Sequence, residues 1–318
     1  MAKIAVITPV SHLDGIVELL LTKGNVFLYE ESTKAQVREL LLSHHIDTIV
    51  CNPNQQTYII DEELLQGSHV KLINTCSTGL NHIDIDYCTS NSIVVQSHKT
   101  DYQLLNELPS TSELAFGLMM SLLRKIPQGQ KHVAAGGWDY TQFMGRQIDW
   151  LHIGIVGYGR LGKMMAKFCR AFGAIVYVYD PHVEWDTRWP SQDNSVTRVD
   201  SLEALVKVCD VVSLHVHVTD ETKYMINEKL LGYMKKGSYI VNTSRGEIVD
   251  EQAIVKALDS DKLLGYATDV IEDEFADITK SPIVKAMNSG KNIIITPHVG
   301  GMTIEGQTKA YKWAIDKL

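Results

Sequence analysis

Three polar groups that can handle a carboxylate and the carbonyl next to it fall just beyond short apolar runs in the second half of the chain. They are Arg245 in Asn242-Thr243-Ser244-Arg245-Gly246, the acids between Asp269 and Glu274, and His298 in Thr296-Pro297-His298-Val299-Gly300-Gly301. An arginine offers a fork of donors that matches a carboxylate and the adjacent carbonyl oxygen. A histidine titrates near neutrality, so it can give a proton to that oxygen and take it back. A carboxylate beside the histidine favours its protonated form by charge attraction. Singly, these would be an ion-pairing surface arginine, a solvated acidic loop and a turn histidine. At strand ends of one parallel sheet they make a set suited to hydride transfer from a nicotinamide to a 2-keto acid, and to the reverse.

The stretch that would place them beside a cofactor is Leu151 to Asp180, LHIGIVGYGRLGKMMAKFCRAFGAIVYVYD. It reads as a strand over Ile153–Val156, a glycine turn, an amphipathic helix over Arg160–Phe172 and a second strand over Ile175–Tyr179. In such a βαβ unit Gly157 turns the chain off the strand, Gly159 lets the backbone approach a pyrophosphate, and Gly162 brings the helix close to the sheet. The diphosphate then meets the helix N-terminus, where unpaired N–H groups and the dipole favour an anion. Asp180, at the tip of the second strand, can accept from ribose hydroxyls and would repel a 2′-phosphate, which selects NAD over NADP.

Around this unit the chain alternates strands and helices. Strands are expected at Ile4–Ile7, Val26–Tyr29, Thr48–Cys51, Leu72–Thr75 and Ile93–Val95, with a helix over Thr33–Ser43, forming a small parallel α/β domain. The loop Cys76–Asp84 after its fourth strand either holds an anion on backbone N–H groups at a helix start or is a connection capped by Asn81 or Asp84. Lys99–Pro109 reads as the crossing into a second domain, and Ser110–Arg124 as a buried helix capped by Ser110 or Ser112, one that a dimer interface could cover. Beyond Asp180 come a loop over Pro181–Val199, helices Ser201–Val208, Glu228–Met234 and Glu251–Ser260, and strands Asp210–Val216, Ser238–Val241, Leu264–Thr268 and Asn292–Ile295. The result is a doubly wound sheet of about six strands, with a last helix from about Met302.

A length of 318 residues suits two domains, and a formal charge of −8 argues against general nucleic-acid binding. The five cysteines, Cys51, Cys76, Cys88, Cys169 and Cys209, include no CxxC pair and fit reduced thiols in the cytoplasm. The chain opens on a strand with no signal peptide, and no apolar run reaches the ~20 residues of a membrane span. No metal site is expected.

Several motifs in order give the chain a family resemblance: Ser77-Thr78-Gly79-Leu80-Asn81-His82-Ile83-Asp84, GYGRLG at 157–162, Ser213-Leu214-His215-Val216, NTSRGEIVDE at 242–251, Ala267-Thr268-Asp269-Val270 and TPHVGG at 296–301. The sequence resembles the D-isomer-specific 2-hydroxyacid dehydrogenases nearly end to end, with a substrate loop most like that of the D-3-phosphoglycerate dehydrogenases. That resemblance implies catalytic roles for Arg245, Glu274 and His298. Glu274 is preferred over Glu272 because the family's acid lies five residues after the aspartate, here Asp269. It implies substrate contacts from Ser77, Thr78 and Gly79, together with Arg245 and His298. NAD would be held by Thr111, Gly157, Gly159, Arg160, Leu161, Gly162, Asp180, His215, Thr243 and Asp269.

The same resemblance implies two Rossmann-like or flavodoxin-like parallel domains in a homodimer. A catalytic domain of residues 1–100 and 298–318 would be interrupted by an NAD domain of 101–297. Phe275 stands where the family has proline, His217 replaces the proline of LHVP, and Asp149-Trp150 replaces a glycine-lysine pair. The implied reaction interconverts a D-2-hydroxy acid and its 2-keto acid, with 3-phosphoglycerate leading; a phosphate would need basic partners, for which Lys99, Arg124 or Arg146 could serve only if the fold brings one near. Hydroxypyruvate or glyoxylate reduction, phosphite oxidation and non-catalytic NAD sensing by a co-repressor-like protein are the alternatives.

Overall fold

The computed structural model describes residues 1–53, 58–183, 196–274 and 276–318; Phe275 and most of the 181–199 loop lie outside the described residues. The chain forms two compact units, residues 1–108 with 301–318, and residues 109–300.

The first unit carries a parallel sheet of β1 (Ala2–Val6), β2 (Gly24–Leu28), β3 (Thr48–Cys51), β4 (Leu72–Thr75) and β5 (Val94–Gln96), in the order β2-β1-β3-β4-β5. One face is covered by helix Lys34–Ser43, which starts on a reciprocal capping box between Thr33 and Gln36 and buries Val37, Leu40 and Leu41. The other face receives Ile16 and Leu20 from helix Ile16–Lys23, and Tyr311, Ala314 and Ile315 from the C-terminal helix Ile304–Asp316. Those side chains explain why the last segment belongs to this unit: leaving them in water would forfeit about 1.5–3 kcal/mol per large apolar side chain.

The second unit carries β6 (His152–Val156), β7 (Ile175–Tyr179), β8 (Thr197–Arg198), β9 (Val211–Leu214), β10 (Ser238–Asn242), β11 (Leu263–Thr268) and β12 (Ile293–Ile295). All are parallel, in the order β12-β11-β10-β9-β6-β7-β8. The order reverses direction between β6 and β9, which makes the carboxyl ends of these two strands the switch point where such sheets bind ligands. Helix Arg160–Ala171 buries Met165, Ala166 and Cys169 on one face, and helices Leu202–Val208, Glu228–Tyr233 and Glu251–Asp259 fill the other.

The unit boundaries fall at 108/109 and 300/301, where the sequence suggested 100/101 and 297/298. The Lys99–Pro109 segment contains a short helix, Tyr102–Leu105, and a chain of contacts holds it in the first unit. His98 Nδ1 lies 3.0 Å from the Asp101 carboxylate, which also receives Lys317 of the C-terminal helix. At the other boundary the His298 N–H bonds to the Asp269 carbonyl and the Gly300 N–H to the Asp269 carboxylate, so both stay with the second unit.

Helix Ser110–Leu123 has Pro109 at its N-cap with no side-chain cap. Ser112 is instead buried and donates to the Leu161 carbonyl at 2.9 Å. Ala115, Leu118, Met119, Leu122 and Leu123 of this helix are covered by their own unit.

Two histidines make the fold acid-sensitive. Burial lowers His82 to about 4 and His215 to about 4. Both are neutral above pH ~6.5, where they cost nothing, and protonation opposes folding as the pH falls from there toward 4. For His82, 1% exposed, the integrated cost is roughly 3 kcal/mol at pH 4. Unfolding followed from pH 7 to pH 4 should therefore be less steeply pH-dependent in His82→Asn than in the unsubstituted chain; parallel curves would show that His82 titrates normally in the folded state.

Candidate active site

In the second unit each glycine of the turn after β6 meets a different neighbour. Gly157 has φ +87°, and a Cβ there would stand 2.4 Å from the His215 carbonyl oxygen, so only glycine fits both the turn and the strand beside it. At Gly162 a Cβ would meet the Gly157 carbonyl oxygen at 2.0 Å, which holds helix Arg160–Ala171 against the turn. Around Gly159 a Cβ would meet nothing within 4 Å, so the space in front of the helix N-terminus is open to a diphosphate. Arg160 and Leu161 form the first turn behind it.

Asp180 does more than the sequence suggests. One carboxylate oxygen accepts the Tyr158 N–H at 2.8 Å and the other accepts the His182 N–H at 2.9 Å. The acid at the end of β7 thus braces the glycine turn while leaving further lone pairs for hydroxyl donors.

Beyond β9 and β10 two buried polar atoms have no hydrogen-bond partner among the described residues, His215 Nδ1 and Thr243 Oγ1. The other His215 nitrogen lies 2.9 Å from Ser213 Oγ. Orphaned buried polar atoms are rare in proteins, and a polar ligand along the strand ends would satisfy this pair. With the glycine turn and Asp180 they form a donor and acceptor set that fits a dinucleotide.

The histidine turn is built around Asp269. This residue is 2% exposed, and burial raises its carboxyl above the usual range despite its hydrogen bonds. The carboxylate accepts the Thr296 hydroxyl at 2.5 Å, the Val299 N–H at 2.9 Å and the Gly300 N–H at 2.7 Å. Its backbone carbonyl accepts the His298 N–H at 2.9 Å. These contacts hold His298 at φ +54°, a left-handed conformation that a non-glycine residue adopts only when its surroundings impose it. Thr111 lies alongside, since a Cβ on Gly300 would sit 3.0 Å from Asp269 Oδ2 and 3.2 Å from Thr111 Cγ2.

So held, the imidazole meets Glu274. His298 Nδ1 is 2.9 Å from one carboxylate oxygen and 3.1 Å from the other. An ionised carboxylate only accepts, which assigns the Nδ1 proton to the histidine and makes Nε2 the atom for proton exchange. Glu272 points elsewhere and accepts from the Tyr224 hydroxyl. Arg245 is half-buried beyond β10, and among the described residues no carboxylate pairs with it. Its guanidinium donates to the Ser244 carbonyl at 2.6 Å, and Asn242 fixes the turn by donating to the Arg245 carbonyl at 2.9 Å.

In the first unit the loop after β4 is organised by side chains. Ser77 Oγ donates to the Gly79 carbonyl at 2.8 Å, and Thr75 Oγ1 lies 2.9 Å from both Ser77 Oγ and His82 Nε2. Neither the Thr78 nor the Gly79 N–H is donated to a protein acceptor among the described residues. The following helix begins only at Ile85, capped by Asp84. The donors are therefore those of a shaped loop rather than a helix start.

Two of the three candidate phosphate partners lie at the wrong end of the second unit. Helix Ser110–Leu123 has Thr111 beside the histidine turn and Arg124 at its far end. At 1.5 Å per residue its 14 residues separate the two by roughly 20 Å. The Arg146 N–H bonds to the Leu123 carbonyl, which places it at the same far end. Lys99 follows His98, whose N–H bonds to the Ser77 carbonyl in the first unit.

A doubly wound sheet with a glycine turn at its switch point and a carboxylate–histidine pair at its strand ends defines a nicotinamide-dinucleotide dehydrogenase scaffold. Residues 116–300 match the family model of the NAD-binding domain of D-isomer specific 2-hydroxyacid dehydrogenases, and the chain belongs to that family. Among its relatives, D-3-phosphoglycerate dehydrogenase of Methanocaldococcus jannaschii is 31% identical over 98% of this chain and 55% of its own length. The chain thus spans about half of that relative. Glyoxylate reductase of Thermofilum pendens is 31% identical over 92% of this chain and 84% of its own. Among solved structures, the D-lactate dehydrogenase from Aquifex aeolicus, complexed with NAD and lactic acid, is 27% identical with a TM-score of 0.74, covering 99% of this chain and 93% of that one.

Sequence reasoning did not assign Thr296 its hydrogen bond to Asp269, and it offered Ser112 as a helix cap where the structure has it donating to the Leu161 carbonyl. The threonine two residues before His298 was the available signal for the first. Nothing local to Ser112 points to Leu161.

Proposed function

We propose that this chain is an NAD-dependent dehydrogenase interconverting a 2-keto acid and the matching D-2-hydroxy acid. The observation that carries the reading is the Glu274–His298 pair at 2.9 Å, held beyond β12 at the same carboxyl edge of the sheet as the glycine turn after β6. NAD, when bound, supplies or accepts the hydride. The protein's part is to place the substrate and move a proton. Arg245 binds the substrate carboxylate and carbonyl oxygen. His298 Nε2 donates a proton to the oxygen in the reducing direction, with Glu274 stabilising the imidazolium.

The substrate proposed is an unphosphorylated small 2-keto acid such as glyoxylate or hydroxypyruvate. The placement of Arg124 and Arg146 leaves Lys99 as the sole remaining member of the three phosphate candidates, which weakens the phosphoglycerate expectation. The test is NADH oxidation against glyoxylate, hydroxypyruvate, pyruvate, 2-oxoglutarate and phosphohydroxypyruvate. Fastest turnover of phosphohydroxypyruvate would restore the phosphoglycerate reading. Silence with all five would refute the reductase and turn attention to phosphite oxidation or NAD sensing.

Asp180→Ser should lower the preference for NADH over NADPH, measured as the ratio of kcat/KM, by roughly tenfold or more, since a like-charge contact near 4 Å costs ~1–4 kcal/mol. NADH affinity should weaken too, because the glycine turn loses its brace at Tyr158. An unchanged ratio would place Asp180 away from the 2′ position.

A homodimer is proposed from the surface of the second unit. Trp138 (88% exposed), Tyr140 (84%), Met144 (77%) and Trp150 (79%) crowd one short segment, and apolar exposure of that density marks an association surface. Sedimentation at micromolar concentration tests it. A cytoplasmic setting is supported by five cysteines that are all unpaired and buried.

A further inference from the structure

Glu251 is a buried acid to which the reaction assigns no part. It opens helix Glu251–Asp259, is 6% exposed, and pairs with no cation among the described residues. Removing a carboxylate from water without a partner cation is costly unless hydrogen bonds replace the lost hydration. Both oxygens are so used. One accepts the Glu272 N–H at 3.2 Å, and the other accepts the Ser281 hydroxyl at 2.7 Å.

Those two donors, at residues 272 and 281, flank Glu274 in the 272–281 segment of the sequence; Phe275 between them lies outside the described residues. Ser281 is itself fixed, because it caps helix Pro282–Asn288 by accepting the Val284 N–H. The near end of the segment also touches the Arg245 turn directly. A Cβ on Gly246 would stand 2.1 Å from the Ile271 carbonyl carbon and 2.3 Å from the Glu272 nitrogen. Backbone contact at Gly246 packs the two segments against each other, and the Glu251 carboxylate bonds the acidic one at Glu272 and at Ser281.

We propose that Glu251 is a positioning residue for the acid/base pair: by holding both ends of the 272–281 segment it keeps Glu274 within hydrogen-bond distance of His298. The inference rests on the function proposed above for its effect on rate, but not for its effect on the segment. A buried acid is suited to this work because it accepts twice from one fixed side chain at the positive end of a helix.

The test is a double-mutant cycle on the full-length protein. Glu251→Leu should lower kcat about 10–100-fold in the otherwise unchanged protein, the usual consequence of misplacing a reacting group by an ångström. In the Glu274→Gln background, where there is no carboxylate left to position, the same change should cost less than ~3-fold. Glu251→Gln, whose amide oxygen can accept the Glu272 N–H while its amide nitrogen donates to Ser281 Oγ, should recover most of the rate, and the dissociation constant for NADH should hold throughout. Equal losses in the two backgrounds would assign Glu251 to general stability and overturn the proposal. If Glu251→Leu fails to fold, Ser281→Ala removes one of the two anchors and should show the same dependence on background at smaller size.

Hydrogen–deuterium exchange of the 272–281 segment reads the positioning without turnover. Faster exchange in Glu251→Leu or Ser281→Ala than in the parent is expected, and unchanged exchange would overturn the role. A chain that reduces no 2-keto acid yet shows the accelerated exchange would sink the proposed function and keep the anchor, so the two failures are distinct.

Discussion

His298→Ala should lower the rate of keto-acid reduction by about 10²–10⁴-fold, the usual worth of a positioned general acid, while NADH binding should persist. The size follows from how much of the structure exists to aim this ring. The backbone of residue 298 sits at φ +54°, held by the Asp269 carbonyl, and Asp269 in turn grips Thr296, Val299 and Gly300 with its carboxylate. Glu274 fixes the tautomer at 2.9 Å. Alanine keeps that backbone and the Asp269 contacts, so the loss should fall on kcat rather than on folding. Steady-state kinetics with the best substrate of the panel, alongside fluorescence titration of NADH, separates the two. A kcat within threefold of the parent would show that the carbonyl oxygen takes its proton elsewhere.

Much of this scaffold was legible from pattern because parallel strands buried on both faces leave short continuous apolar runs. Thr48–Cys51, Leu72–Thr75 and Ile175–Tyr179 have the bounds their composition suggests. The glycine turn was equally readable, since each glycine answers a steric demand local to one βαβ unit. What pattern does not carry is where a polar side chain finds its partner along the chain. Ser112 looks like a helix cap, yet it reaches the Leu161 carbonyl across 49 positions. Arg124 and Arg146 looked available to a phosphate until the direction of one helix put them at the far end. Helix Ile126–Ala134 was missed because Pro127 and Gly129 weaken its signal and Lys125 enters it at φ +51°. The acidic run offered Glu272 and Glu274 alike; only geometry sends the first to Tyr224 and the second to His298.

Arg245→Ala should remove about 2–5 kcal/mol of charge-assisted binding from the transition state, a fall in kcat/KM of roughly 30- to 4,000-fold. The argument begins with what the guanidinium does in the protein. It is half-buried, it donates to the carbonyl of the residue before it, and no carboxylate among the described residues neutralises it. A cation kept partly out of water without an anion forgoes hydration that a substrate carboxylate can replace. Asn242 and Gly246 fix the turn that presents it, the first through the Arg245 carbonyl and the second through contact with Ile271. Alanine leaves those backbone contacts intact, so folding should be nearly unchanged while KM for the keto acid rises and kcat falls. Lysine at the same position keeps the charge but loses the two-pronged geometry, and should recover only part of the loss. If Arg245→Ala retained normal kcat/KM, the carboxylate would have to be held without this residue.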